Sequence, residues 1–134
     1  MTGVQTCALP ILLIVDDHRL FADSLKLLLD RDSSVEVVGI AGDGPEAIDL
    51  AMAGDAQVVL MDIGLPTFDG FETTARLLAI KKAAKVLAVT GRHADEVSTQ
   101  ALACGMVGCL SKDHIHETVI AAIHTAMNAA PANP

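Results

Sequence analysis

The sequence is poor in aromatic residues, basic residues and long apolar runs, and each shortage excludes a class of function. Its 134 residues include three Phe and neither Trp nor Tyr, so the aromatic platforms on which nucleic-acid bases stack are missing. Nine Lys and Arg stand against 17 Asp and Glu, a formal charge of −8, which argues against a basic nucleic-acid footprint. No apolar run approaches the roughly 18 residues of a membrane-spanning helix. We therefore expect a domain that binds neither nucleic acid nor membrane by itself.

Cysteine is scarce as well. Cys7, Cys104 and Cys109 are odd in number and lack the paired spacing of zinc ligands. Free thiols in the reducing cytoplasm fit this pattern best. The first ten residues have no basic segment, so a secretory signal peptide is not expected. The chain is 51% hydrophobic, which is too apolar for a disordered protein, and its length suits one domain.

Five apolar segments of about strand length recur along the chain. Four are almost continuously apolar, which is typical of central parallel strands that are buried on both faces; they span residues 11–15, 58–61, 86–89 and 107–110. The fifth segment, residues 35–40, is interrupted by Glu36. This interruption predicts a strand at the edge of the sheet.

Amphipathic stretches separate these segments, and their apolar residues recur at helical spacing. The five stripes are Phe21, Leu25, Leu28 and Leu29; Ala47, Ile48, Ala51 and Met52; Phe71, Ala75 and Leu78; Val97, Ala101 and Cys104; and Ile115, Val119, Ala122, Ile123, Ala126 and Met127. Pro45 suits the first turn of the second helix. Parallel strands need such helical crossovers. The sequence therefore predicts an α/β fold, a three-layer sandwich around a five-stranded parallel sheet.

Polar side chains follow four of the predicted strands. Asp16 and Asp17 come after the first strand, Asp62 after the third, Thr90 after the fourth and Lys112 after the fifth. The carboxyl ends of parallel strands meet at one edge of the sheet, where open α/β proteins bind ligands. One such Asp alone would ordinarily be a helix cap. Their joint occurrence predicts a pocket of three carboxylates, one hydroxyl and one amine.

The residue types in this pocket indicate phosphoryl chemistry with a metal ion. Converging carboxylates repel one another unless a cation joins them, and Mg²⁺ typically takes carboxylates, waters and phosphate oxygens. The ammonium of Lys112 and the hydroxyl of Thr90 suit the oxygens of a phosphoryl group. An Asp can be the nucleophile that accepts such a group.

Four motifs resemble the receiver domain of bacterial two-component response regulators, over about residues 11–127. They are residues 13–18 (LIVDDH), residues 61–66 (MDIGLP) with Asp69-Gly70, Thr90-Gly91, and residues 111–113 (SKD). The Asp-Asp-His and Lys-Asp details most resemble the subfamily that is usually joined to a helix-turn-helix output domain. The resemblance implies a flavodoxin-like receiver fold with strand order 2-1-3-4-5.

The resemblance also implies roles in phosphoryl transfer. It implies that Asp62 accepts the phosphoryl group from a sensor histidine kinase, and that Lys112 and Thr90 contact the phosphoryl oxygens. Thr90 would then shift the surface of the fourth helix, fifth strand and fifth helix, and a homodimer on phosphorylation is common in the family. The domain is expected to assist its own phosphorylation and dephosphorylation, and is not expected to be an enzyme otherwise.

A magnesium site is implied in the same way. Asp17 and Asp62 would bind Mg²⁺ through their carboxylates, Asp16 would bind through water, and the backbone carbonyl of Gly64 would supply a further ligand. We interpret His18 and His93, which flank the pocket, as exposed loop residues.

Two departures from the family pattern leave an alternative open. Cys109 stands three residues before Lys112, where the family commonly has Tyr or Phe, and Asp113 replaces the Pro that often follows the Lys. A degenerate receiver that acts as a phosphorylation-independent interaction module is therefore the alternative function. A flavodoxin-type electron carrier is disfavoured, because the acidic loop after the first strand would repel a flavin phosphate.

Three segments are expected. Residues 1–10 do not resemble a receiver start and are similar to a translated sequencing adapter, so we expect a non-native or disordered leader. Residues 11–128 are the expected receiver domain. Residues 129–134, which are rich in Ala and Pro, are expected to be a tail or the start of a linker.

Overall fold

Strands and helices alternate along the chain in the predicted order. The structure is a computed structural model that describes residues 9–91 and 94–129, without the side chains of residues 94–96. Its elements are β1 (Ile11–Val15), α1 (Arg19–Asp30), β2 (Glu36–Ala41), α2 (Gly44–Ala53), β3 (Val58–Asp62), α3 (Gly70–Ile80), β4 (Lys85–Thr90), α4 (Ala94–Ala103), β5 (Gly108–Ser111) and α5 (Ile115–Met127).

The five strands form one parallel sheet in the order β2-β1-β3-β4-β5, which confirms the predicted topology. β2 lies at an edge and its Glu36 is exposed, as the interrupted apolar run indicates. The chain leaves β1 toward β2 and later returns to the other side of β1 with β3. This reversal places a crevice at the carboxyl ends of β1 and β3, where ligands bind in open α/β sheets.

Alternate residues of the central strands pack into two hydrophobic clusters on opposite faces of the sheet. In β1, Leu12 and Ile14 face the cluster that α1 and α5 cover, whereas Leu13 and Val15 face the cluster that α2, α3 and α4 cover. All four side chains are almost completely buried. Because both faces are covered, the strands are continuously apolar, and the molecule has the predicted three layers.

The predicted apolar stripe of α3 is only partly correct, since Phe71 and Leu78 pack against the core at the margin of the buried face. Ala75 is exposed and Phe71 is only half-buried, whereas the buried face of this helix consists of Gly70, Thr73, Thr74 and Leu77. Thr73 can be buried because its hydroxyl donates to the backbone carbonyl of Asp69 at 2.8 Å. A pattern read from apolar residues alone misses a helix face that contains threonine.

The other predicted stripes agree better with the structure. Buried positions of α1, α2, α4 and α5 fall on the predicted faces, although Met52 of α2 is 46% exposed. Pro45 lies in the first turn of α2, and the side chain of Asp43 caps this helix by accepting from the amide of Glu46. None of the helices in residues 9–91 and 94–129 is both long and apolar enough to cross a membrane.

Some predictions concern residues outside the described ranges. Residues 1–8 and 130–134, most of the proposed leader and tail, belong to this group, as do Cys7 and His93. The three-segment division therefore stays a prediction. Among the described residues, Cys104 and Cys109 are free thiols.

Candidate functional site

The carboxyl ends of four strands bring the predicted site residues together. Asp16 directly follows β1, Asp62 ends β3, Thr90 ends β4 and Lys112 directly follows β5. Asp16, Asp62 and Thr90 are 2%, 5% and 3% exposed. These three residues of the site are therefore buried rather than exposed at the surface. The amide of Lys112 donates to the carbonyl of Thr90 at 2.9 Å. This bond continues the β4–β5 pairing and fixes where the lysine leaves the sheet.

The ammonium of Lys112 joins two of the carboxylates. Its Nζ lies 2.8 Å from Oδ2 of Asp16 and 3.7 Å from Oδ1 of Asp62. The nearer contact is an ion pair rather than a directed hydrogen bond, since Oδ2 of Asp16 has no hydrogen-bond partner among the described residues. The lysine thus offsets part of the negative charge that the strand ends concentrate here.

Asp17 and His18 complete the mouth of the site. One ligand atom from each of Asp16, Asp17, His18 and Asp62 can be chosen so that all lie within 4.8 Å of one another. Nδ1 of His18 is 3.3 Å from Asp16 Oδ1 and 3.7 Å from Asp17 Oδ1. The imidazole is 70% exposed, so the prediction of an exposed residue that flanks the pocket is confirmed for His18.

Burial raises the pKa of the Asp62 carboxyl above its ordinary value of 3.8, and the negative charge of Asp16 raises it further. The ammonium of Lys112 and the amide of Gly64 act in the opposite direction, but the raising effects prevail. A carboxylate in these surroundings is destabilised by repulsion, and a cation would relieve that repulsion.

The donor set fits a hard divalent cation. Three carboxylates converge, and those of Asp16 and Asp62 are buried. Oxygen-rich sites with one or two directly bound carboxylates are those that Mg²⁺ prefers. Gly64 lies at the rim, where its amide donates to Oδ1 of Asp62 at 3.4 Å; the role of its carbonyl as a ligand stays a prediction.

The loop between β3 and α3 is held close to Asp62. Asp69 caps α3 by accepting from the amide of Glu72 at 2.9 Å. A Cβ at Gly70 would lie 2.8 Å from Cα of Ile63 and closer still to the carbonyl oxygen of Asp62. Only a residue without a side chain allows α3 to begin this close to the strand. Gly70 belongs to the Asp69-Gly70 motif of the sequence, but no pattern of residues indicates this close approach.

An open cleft of about 360 Å³ lies over Asp62 and is lined by His18, Asp62, Ile63, Gly64, Thr90, Gly91 and Lys112. The predicted phosphoacceptor, hydroxyl and amine thus share one cavity. Asp16 does not line this cleft, but its carboxylate contacts the ammonium of Lys112. This arrangement can place an anionic group between Asp62, Thr90 and Lys112.

The family model of the response regulator receiver domain matches residues 12–124. The chain belongs to this family. The receiver is similar to the transcriptional regulatory protein DegU of Brevibacillus brevis, with 32% identity over 112 residues. It is also similar to the nitrate/nitrite response regulator protein NarL of Escherichia coli strain K12, with 30% identity over 115 residues. These matches cover 84% and 86% of the chain.

The chain spans about half the length of these curated relatives, 48% of DegU and 53% of NarL. Among solved structures, the receiver is similar to a two-component response regulator of the LuxR family from Aurantimonas sp. SI85-9A1. The TM-score is 0.85 with 25% identity, and the match covers 92% of this chain and 89% of that one. The predicted flavodoxin-like receiver fold is thereby confirmed.

The receiver departs from its family pattern at Cys109, in the middle of β5. This residue is half-buried, packs against the cluster under α2, α3 and α4, and burial raises the pKa of its thiol. Cys109 also borders a cavity of about 240 Å³ between β5 and α5 whose lining includes Ala122, Thr125 and Ala126. That cavity lies on the face of the sheet that α5 covers, whereas the side chain of Cys109 packs on the opposite face.

Proposed function

We propose that this receiver accepts a phosphoryl group on Asp62 from a sensor histidine kinase in the cytoplasm. The observation that carries the proposal is the buried Asp16–Lys112–Asp62 arrangement at the carboxyl edge of the sheet, with Thr90 lining the same cleft. In this proposal Asp17 and Asp62 bind Mg²⁺ directly, and Asp16 binds it through water. The carbonyl of Gly64 adds a ligand.

The reaction follows from the chemistry of these groups. A carboxylate oxygen of Asp62 attacks phosphorus, an acyl phosphate bond forms, and the bond between phosphorus and the histidine nitrogen of the donor breaks. Lys112 and Thr90 donate hydrogen bonds to the phosphoryl oxygens, which carry the charge of the transition state. When bound, Mg²⁺ supplies further neutralisation of that charge. Lys112 and Thr90 donate to the same phosphoryl oxygens when a water molecule later attacks phosphorus and the acyl phosphate bond breaks.

The proposed consequence of phosphorylation is a change at the surface of α4, β5 and α5. Thr90 ends β4 and pairs with Ser111 of β5, so a movement of its hydroxyl toward a phosphoryl oxygen acts on the edge of the sheet. Because DegU and NarL are named as regulators of transcription or of a nitrate response, we propose that the receiver controls a DNA-binding output domain. A homodimer would be the form that phosphorylation favours.

The alternative is a degenerate receiver that interacts with partners without phosphorylation. The replacement of the usual aromatic by Cys109 favours it. Asp62, Thr90 and Lys112 line one cleft, with Asp16 and Asp17 beside them. This arrangement argues against the alternative, because converging carboxylates repel one another and cost stability unless a cation joins them.

Acetyl phosphate with Mg²⁺ tests the proposal, and intact mass spectrometry measures the product. We expect a mass gain of one phosphoryl group in the unchanged protein, and none after chelation of Mg²⁺ or in Asp62→Asn. Asp69→Asn is the matched control, since Asp69 is an exposed helix cap outside the cleft. Phosphorylation that persists with a chelator would contradict the magnesium site, and no phosphorylation of the unchanged protein would favour the alternative.

A further inference from the structure

The ammonium of Lys112 has an aromatic neighbour in addition to its two carboxylates. Its Nζ lies 4.7 Å from the centroid of the Phe21 ring, while Asp16 and Asp62 contact it at 2.8 and 3.7 Å. Phe21 belongs to the first turns of α1 and is half-buried against the cluster under α1 and α5. The ring therefore stands on a rigid element and faces a group of the proposed reaction.

This contact limits the positions that the lysine can take. A lysine ammonium on its four-carbon stem has many rotamers, and nothing in the stem itself directs it. The negative face of an aromatic ring attracts such a cation within about 6 Å of its centroid, and more strongly where water is excluded. The side chain of Lys112 is only 18% exposed, so the attraction is little screened. The Phe21 ring and the carboxylates of Asp16 and Asp62 together restrict the position of the ammonium.

The ring is not a substitute for the aromatic that is missing at the Cys109 position. Phe21 packs against the cluster under α1 and α5, whereas Cys109 packs against the cluster on the other face of the sheet. The contact between Phe21 and Lys112 therefore affects the position of the lysine. It does not affect how β5 and α4 respond to phosphorylation.

We propose that Phe21 is a positioning residue for phosphoryl transfer. Its ring holds the Lys112 ammonium at the cleft, so that the amine faces Asp62 and the oxygens of an incoming phosphoryl group. Phe21 does not touch the reacting atoms and acts only through Lys112. The inference rests on the proposed function of Asp62, and it names one further residue on which the rate depends.

The contact itself can be tested without any phosphorylation. Protons on the ε carbon of a lysine above an aromatic face resonate upfield of their usual position because of the ring current. We expect this shift for Lys112 in the unchanged protein and in Phe21→Tyr, and its loss in Phe21→Leu. A Lys112 resonance that is the same in Phe21→Leu as in the unchanged protein would overturn the inference.

The effect on rate is measured with acetyl phosphate at saturating Mg²⁺. We expect Phe21→Leu to slow phosphorylation roughly fivefold, which is about 1 kcal/mol at 1.36 kcal/mol per tenfold and within the range of cation–π contacts. Phe21→Tyr keeps the aromatic face, so it should be phosphorylated at the rate of the unchanged protein. In a Lys112→Gln background, Phe21→Leu should slow the reaction no further, because residues that act through one contact are not additive.

Phe71→Leu is the matched control, because Phe71 is also half-buried but packs against the cluster on the other face. It should lower the melting temperature as Phe21→Leu does and leave the rate unchanged. Equal slowing in both variants would show a general effect of lost packing and overturn the inference. An unchanged protein that takes no phosphoryl group would overturn the proposed function itself, and the lysine resonance would still report whether the contact exists.

Discussion

At Asp62, burial and the charge of Asp16 act on one carboxyl group, and the raised pKa has a consequence for stability. The folded state binds the proton of this group more tightly than the unfolded state does. Stability is therefore lost as pH rises through the raised pKa and the carboxylate ionises. At neutral pH the ionised carboxylate of Asp62 thus lowers the stability of the folded receiver, as is common for charged groups in functional sites.

We expect Asp62→Asn to raise the melting temperature at neutral pH in the presence of a chelator. A relief of about 1 kcal/mol corresponds to roughly 4 °C in a domain of this size. The gain should shrink as pH falls toward the raised pKa of Asp62, because the unchanged carboxyl then takes up a proton and no longer places a buried charge beside Asp16. Thermal melting followed by circular dichroism measures both effects. A variant that melts below the unchanged protein at neutral pH would contradict the account of this charge.

Thr67 adopts a left-handed backbone conformation in the loop that follows Asp62, with φ of 72°. This conformation costs a β-branched residue roughly 1–2 kcal/mol, whereas Asn tolerates it. We expect Thr67→Asn to raise the melting temperature by roughly 4–8 °C. Thr118→Asn, on the exposed face of α5, is the control and should not raise it. Destabilisation by Thr67→Asn would show that the threonine side chain contributes more than its backbone costs.

At the scale of elements, the junction of β3 and α3 depends on the missing side chain of Gly70. The Cβ of an alanine would meet backbone atoms of Asp62 and Ile63, and backbone cannot move aside as a flexible side chain can. We expect Gly70→Ala to reduce the free energy of unfolding by about 2 kcal/mol or more. Gly64→Ala is the control for stability, since its Cβ would meet no described atom within 4 Å. Chemical denaturation measures both, and equal values would contradict this account.

A different prediction concerns β5, which is an edge strand. Cys109 is only half-buried there and stands where the family commonly has Tyr or Phe, so we expect Cys109→Tyr to fold with a melting temperature within about 3 °C of the unchanged protein. A larger side chain at a half-buried edge position can extend toward solvent. A fall of more than about 10 °C would show that the neighbouring residues have repacked around the thiol.

The central strands β1, β3 and β4 were predictable from the sequence because they are buried on both faces and therefore continuously apolar. The helices were less so: in α3 the buried side chains of Thr73 and Thr74 look polar in the sequence, and their neighbours Phe71 and Leu78 are only half-buried. Hydrogen bonding within the helix makes this possible for Thr73, and no pattern of apolar residues indicates it.

The same limit applies to the site. Parallel topology alone brings residues at strand ends together, so the convergence of Asp62, Thr90 and Lys112 could be predicted. The ion pair of Lys112 with Asp16 and its contact with Phe21 depend on rotamers and on the angle at which α1 crosses the sheet. Phe21 reads in the sequence as one more apolar residue of a helical stripe.

At the scale of the whole molecule, the sheet and the site lie within residues 11–112, and α5 closes one face. The predicted leader, residues 1–10, is expected to contribute to neither, apart from the carbonyl of Pro10, which accepts from the amide of Glu36 at 2.9 Å. We expect a chain that begins at Leu9 to keep its melting temperature within about 1 °C and its rate of phosphorylation. A clear loss of either would show that the leader belongs to the domain.

Reductive trapping identifies the residue that accepts the phosphoryl group, which we propose is Asp62. After phosphorylation with acetyl phosphate and Mg²⁺, borohydride converts an aspartyl phosphate to homoserine, which peptide mass spectrometry locates. We expect homoserine at position 62 alone, and none when Mg²⁺ is chelated. Homoserine at Asp16 or Asp17, or its absence from position 62 of a protein that has gained the phosphoryl mass, would contradict the proposal.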